Sequence, residues 1–368
     1  MASTPPASPS FLTPALSIYL DLVRFLAAFA VLAAHMDMDG LSASWLPFAS
    51  MSHEAVMVFF VLSGLVIATT VRSKERDWRT YVVARSVRMY SVVLPAIVLS
   101  FLVTAVAAGI DPGLWRSEVM RDFQVGSALG SIAFLNESWS LDLNLPWNHP
   151  FWSLCYEVWF YVLFGIFCFA RVRSRMLWLI AAAVLAGPAI LALLPIWALG
   201  AWMATWRRYP AMSPTLAWSL VIGTWVLIWL ISISGLDVAL RSWLHDEVPG
   251  FWRLESSQRL ITDYLLGLLV ALNFLAFRAL PERSASWLRS SERPIRFFAG
   301  FTFSLYLFHR PLTKLAGHFW PNVDGSVTHT LVVLVLVMAV CMSLGALTES
   351  KKYVLRDWVR ARVLPKSA

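Results

Sequence analysis

The chain has 368 residues, 58% of them hydrophobic and only 14% charged, with 19 Trp and a formal net charge of +8. A soluble domain carries about a quarter charged residues, so this composition excludes one and points to an integral membrane protein. The positive charge then reads as membrane topology and not as nucleic-acid affinity.

The first residues, "MASTPPASPSFLTP", hold no Lys or Arg and two short Pro/Ser clusters. They read as a disordered cytoplasmic tail over 1–14 and not as a cleaved signal peptide. Apolar stretches long enough to cross a hydrocarbon core, about 17–25 residues, fall near 16–35, 54–71, 86–108, 151–170, 176–194, 215–236, 260–278, 297–316 and 328–349. A shorter run at 195–206, "PIWALGAWMATW", is needed to bring the chain back. The run 125–135, "VGSALGSIAFL", is too short to count and reads as a re-entrant or interfacial piece. With the N-terminus inside, the segments 72–88, 171–175, 207–208, 278–296 and the tail after 350 hold 22 of the 30 Lys and Arg. The opposite orientation would put those charges outside, against the positive-inside bias. The expectation is an all-α polytopic bundle of ten spans over 15–350, with both termini cytoplasmic and a basic tail over 351–368. There is no internal repeat. Cys155, Cys168 and Cys341 lie in apolar runs and build neither a metal-ligand spacing nor a disulfide framework.

Ionisable groups at membrane depth are costly and usually face the protein interior. In the first span, "LDLVRFLAAFAVLAAH", Arg24 and His35 are eleven residues apart. At about 100° per residue they share one helix face, roughly 16 Å apart. Asp21 lies three residues before Arg24, close enough to pair with it. The fourth span opens "FWSLCYEVWFYVLFG" and carries Glu157 at a depth similar to that of His35. A histidine with a carboxylate to orient it suits removal of a proton from a hydroxyl. At the inner surface Arg85 and Arg88, three apart, share a helix face. Guanidinium forks suit phosphate oxygens, so this pair either holds a phosphorylated cytosolic ligand or serves only as topology signals. The ninth span carries His309 and Arg310 in "SLYLFHRPL", and the tenth ends at Glu349 beside Lys351 and Lys352.

These residues resemble the motifs of acyltransferase family 3, the polytopic O-acyltransferases of bacterial surface glycans and some secreted small molecules. The Arg-x10-His pair falls on Arg24 and His35, and "VFFVLSGLVI" resembles the family's "FFVLSGF" run, with Ser63 in it. Arg-x-x-Arg falls on Arg85 and Arg88. "WSLxxE" followed by "FY" falls on Trp152, Ser153, Leu154, Glu157, Phe160 and Tyr161. "YLxHxP" falls on Tyr306, Leu307, His309 and Pro311, and the late acid on Glu349. The chain departs from the family where a Gly-Val-Asp often precedes the second-span run, since Ala55, Val56 and Met57 stand there.

The resemblance implies a multi-pass protein of a bacterial cytoplasmic membrane. Acyl-CoA, as acetyl-CoA, would be a co-substrate and no cofactor would be bound permanently. The acceptor would be a hydroxyl of a cell-surface or lipid-linked glycan, with a secreted small molecule such as a macrolide as the alternative. It places His35 as general base, with Glu157 orienting it; a transient acyl-histidine is the competing route. Arg24, Arg85 and Arg88 would bind the donor. A transporter or flippase is the rival class, and the inverted repeats that would favour it are not found.

Overall fold

The computed structural model describes residues 11–43, 46, 48–116, 122–139, 141–206 and 209–363. The first ten residues, Arg121, Arg207, Arg208 and the last five residues, on which part of the tail and charge scheme rests, lie outside them. All regular structure among the described residues is helical. In order it comprises α1 (Pro14–Met38), α2 (Ser52–Ser73), α3 (Trp78–Ile110), α4 (Val125–Ile132), α5 (Trp152–Phe169), α6 (Val172–Ala186), α7 (Pro188–Met203) and α8 (Pro214–Ser234). There follow α9 (Leu236–Glu247), α10 (Leu260–Ala279), α11 (Ser286–Ser290), α12 (Glu292–Ala299), α13 (Thr302–Phe319), α14 (Val327–Leu347) and α15 (Lys352–Val363).

Several long helices begin where a side chain satisfies an orphan amide. Thr13 accepts from the Leu16 amide, with Pro14 in the first turn. Asp77 caps α3, and Ser213 followed by Pro214 opens α8. Among the described residues, seven helices are long and apolar enough to cross a membrane: α1, α2, α3, α5, α8, α10 and α14. An eighth is reached if α6 and α7, bent by 119° at their junction, count as one broken span. Large apolar side chains on α3, α6 and α8, among them Val98, Leu102, Met176, Leu177 and Ile222, stay exposed, as a lipid-facing surface requires.

Two expected boundaries move. The reversal placed at 195 comes at Gly187–Pro188, so Pro195 lies inside α7. Gly187 adopts φ +88, open to glycine without a Cβ penalty, and its Cβ would sit 2.7 Å from the Trp139 amide. Pro188 then supplies the first turn of α7. The helices α6 and α7 have 15 and 16 residues, about 22–24 Å each, short of a hydrocarbon core of about 30 Å. The apolar stretch at 297–316 is interrupted at Gly300, and α13 runs from 302 to 319. It falls below the apolarity of a free-standing span because it carries His309, Arg310, Lys314 and His318.

Two packing features position the site. Residues 61–65 of α2 lie against α7 backbone to backbone. A Cβ on Gly64 would meet the Trp197 carbonyl oxygen at 2.0 Å, and one on Gly200 the Val61 carbonyl oxygen at 1.9 Å. The connection from α4 to α5 enters the bundle and does not lie across its end. Asn148 Nδ2 donates to Ser100 Oγ at 3.0 Å and to the Leu307 carbonyl at 3.1 Å, and Trp159 Nε1 donates to the Phe134 carbonyl at 2.9 Å. The helix α4 itself has eight residues and is too short to cross.

Candidate active site

His35, in the last turn of α1, meets α13. Its Nδ1 lies 2.9 Å from His309 Nε2, with the rings 28° apart. His309 is fully buried, and its Nδ1 is 2.9 Å from the Leu305 carbonyl. A carbonyl only accepts, so His309 Nδ1 carries a hydrogen and, in a neutral ring, Nε2 holds a lone pair. His35 must then donate from Nδ1, which leaves the lone pair on His35 Nε2. The tautomer of a potential base is thus set by a hydrogen-bond chain running from a helix carbonyl. The approach of α1 to α13 depends on Gly317, whose Cβ would lie 2.4 Å from the Asp39 carbonyl oxygen. Asp39 also pairs with Arg310 and, at 3.3 Å, with Lys314, so the two cations near the histidines share one carboxylate.

Glu157 is not the partner of His35. Its Oε1 accepts from Ser63 Oγ at 2.6 Å and from the Tyr161 hydroxyl, and Trp197 Nε1 donates to Ser63 Oγ at 3.2 Å. The expected juxtaposition of His35 and Glu157 is therefore corrected. The glycine contact of α2 with α7 brings Ser63 to Glu157, whereas His35 faces α13. One turn before Glu157 on α5, Ser153 Oγ meets the Tyr306 hydroxyl at 2.7 Å, and Tyr306 donates to the Pro150 carbonyl at 3.1 Å.

A cavity of about 120 Å³ lies among α1, α2, α3, α5 and α13. Ser63, Ser153, Glu157, Tyr161 and Tyr306, from α2, α5 and α13, line one part of it. Arg24, Arg88, Glu349 and Lys352 line it toward the N-termini of α1, α3 and α13. His35 and His309 do not line it; the cavity ends at Tyr306, one turn short of His309.

The arginines divide. Arg24 donates to Asp21 at 2.8 Å and to the Ala299 carbonyl at 3.2 Å, while its buried Nε has no partner among the described residues. Arg88 faces the cavity within the field of Glu157 and Glu349. Arg85 turns away, paired with Glu75 at 2.5 Å and set over the Tyr81 and Tyr161 rings. Glu349 Oε2 accepts from the amide and the hydroxyl of Ser304 at 3.1 and 2.8 Å, capping the first turn of α13, and its Oε1 lies 3.7 Å from Lys352. Reading the sequence missed the joining of His309 to His35, two residues that belong to motifs 274 positions apart. It also missed Tyr306 as the closure of the cavity.

The arrangement offers a cavity with cationic groups at one end and, one helical turn beyond Tyr306 at the other, a separate pair of buried imidazoles with a lone pair on His35. Such a pair of features suits a reaction that removes a hydroxyl proton near an anionic donor. No solved structure matches the chain. The chain is 28% identical over 235 residues to "Acyltransferase MdmB" from Streptomyces mycarofaciens, covering 59% of this chain and 54% of that protein, so it spans about half the length of this curated relative. The model of the acyltransferase domain of acyltransferase family 3 matches residues 17–346, nearly the whole chain. The chain belongs to this acyltransferase family.

Proposed function

We propose that the protein carries an acyl group, acetyl in the first instance, from cytosolic acyl-CoA to a hydroxyl of a cell-surface or lipid-linked glycan. In this reading the ten helical passages are α1, α2, α3, α5, α6, α7, α8, α10, α13 and α14. Both termini are cytoplasmic, and the membrane is the cytoplasmic membrane of a bacterium. The observation that carries it is the His35–His309 pair at one end of the Arg24 helix face, with the cationic mouth of the cavity at the other.

The donor's charged phosphates stay at the inner surface with Arg88, Lys352 and Arg24. Arg85 joins them only by releasing Glu75. The uncharged pantetheine arm extends through the cavity past Ser63 and Glu157, and movement of the Ser153–Tyr306 contact admits the thioester to His35. His35 Nε2 takes the acceptor hydroxyl proton as the oxygen attacks the thioester carbonyl. The CoA sulfur leaves and receives that proton, which restores the neutral histidine pair. His309 acts through His35 as a positioning residue, the part first expected of Glu157. Glu157, held by two hydroxyls, balances Arg88 and shapes the middle of the channel.

The test is mass spectrometry of surface polysaccharide and culture medium from cells with and without the gene. The expected result is an acyl mass on a glycan that disappears with the gene. An acyl mass gained only by a small molecule in the medium would replace the glycan acceptor. No acyl difference in either fraction would overturn the reading.

A further inference from the structure

A second cavity, of about 330 Å³, lies between α1, α2 and α8, on the opposite side of α1 from the histidine pair. It extends along α1 from Tyr19 to Ala30, a rise of about 16 Å. Its walls are apolar, closed by Trp225 and Trp229 of α8. The polar atoms at its floor are already used, because the Tyr19 hydroxyl donates to Asn273 at 2.7 Å and accepts from Trp225 at 2.9 Å. Glu54, in the first turn of α2, is the one charged side chain lining it among the described residues. It is only 4% exposed, and its Oε2 has no hydrogen-bond partner among the described residues. An unpaired buried carboxylate oxygen is costly, so this cavity is built for a ligand that supplies a donor there.

The surroundings select the donor. Arg259 is shared between Glu54, at 3.9 Å, and Asp237, at 3.2 Å, while His53 is held by Asp263 at 2.8 Å. Two carboxylates on one guanidinium leave one negative charge to be met, which a cation does better than a hydroxyl. The mouth is apolar and faces sideways: Leu26, Phe48 and Trp229 stand there more than 40% exposed. Entry from the lipid phase follows. We propose that this cavity binds an amine-headed bilayer lipid, with one hydrocarbon chain along Tyr19–Ala30 and its ammonium on Glu54. The proposal needs only that the chain spans a membrane, and it is independent of the transfer reaction.

The test is native mass spectrometry of the delipidated full-length protein, without acyl-CoA, titrated with phosphatidylethanolamine, phosphatidylcholine or phosphatidylglycerol. Phosphatidylcholine keeps the positive charge but has no N–H, and phosphatidylglycerol offers hydroxyls without a cation. The expected result is one phosphatidylethanolamine retained about tenfold more tightly than either, the scale of one charge-assisted hydrogen bond. Glu54→Gln should abolish that preference. Leu26→Trp, which adds bulk at an exposed position of the mouth, should lower retention and serves where Glu54→Gln does not fold. Equal retention of the three lipids, a preference for phosphatidylglycerol, or unchanged retention by the variant that folds would overturn the proposal.

Discussion

The base at the heart of the account is defined by which nitrogen holds which hydrogen. Leu305 fixes His309, and His309 fixes His35. Removing His35 should cost the general-base contribution, about 10²- to 10⁴-fold in turnover. His309 should show a graded response. His309→Gln keeps an acceptor for His35 Nδ1 and should retain more activity than His309→Leu, which leaves that hydrogen unpaired. Turnover of the two variants at saturating donor, each with its pH profile, checks this; equal loss in both would reduce His309 to a packing role. His35 and His309 were each visible in the sequence as ionisable residues at membrane depth. Their pairing was not, since helix periodicity orients a side chain about its own axis and says nothing of which neighbour it meets. The same limit explains why Glu157 was matched to His35: similar depth left several helices available. The contact between Asp21 and Arg24 was within reach of the sequence because three residues of helix bring them together.

At the level of elements, the "FFVLSG" stretch has a physical reason for its small residues. Gly64 lets α2 touch α7, and the contact delivers Ser63 to Glu157 and Trp197. Gly200→Ala would place a methyl against the Val61 carbonyl and should destabilise the protein by at least about 1–3 kcal/mol, the cost of overpacking. Gly223→Ala, at a helical position with nothing within 4 Å, should be neutral or slightly stabilising. Thermal unfolding of both variants in the same detergent tests the contrast, and equal melting temperatures would remove the close packing from the account. The apolar runs were legible because lipid demands them. The turn between α6 and α7 was not, because Pro195 and Pro188 look alike in sequence. Only the left-handed Gly187 before Pro188 marks the break.

Across the described residues, the helices give seven or eight candidate spans by length and apolarity, and α13 is withheld from that number by His309, Arg310, Lys314 and His318. The proposed orientation puts Ser73 inside and Ser242 outside, both exposed. Single cysteines there, with Cys168 replaced and the buried Cys155 and Cys341 kept, should respond oppositely to a membrane-impermeant thiol reagent on intact cells. Ser242→Cys should label and Ser73→Cys should not; the reverse pattern would invert the donor path. In the proposed mechanism the donor is held at one end of the molecule and the proton is removed at the other. The most direct measurement titrates acyl-CoA onto purified Arg88→Ala and His35→Ala while following turnover at rising donor. Arg88→Ala should bind acyl-CoA about 10- to 150-fold more weakly, the effect of one hydrogen bond to a charged group, and recover activity at high donor. His35→Ala should bind acyl-CoA nearly normally and keep its loss of about 10²- to 10⁴-fold in turnover at every donor concentration. Unchanged donor affinity in Arg88→Ala, or lost affinity in His35→Ala, would contradict this mechanism.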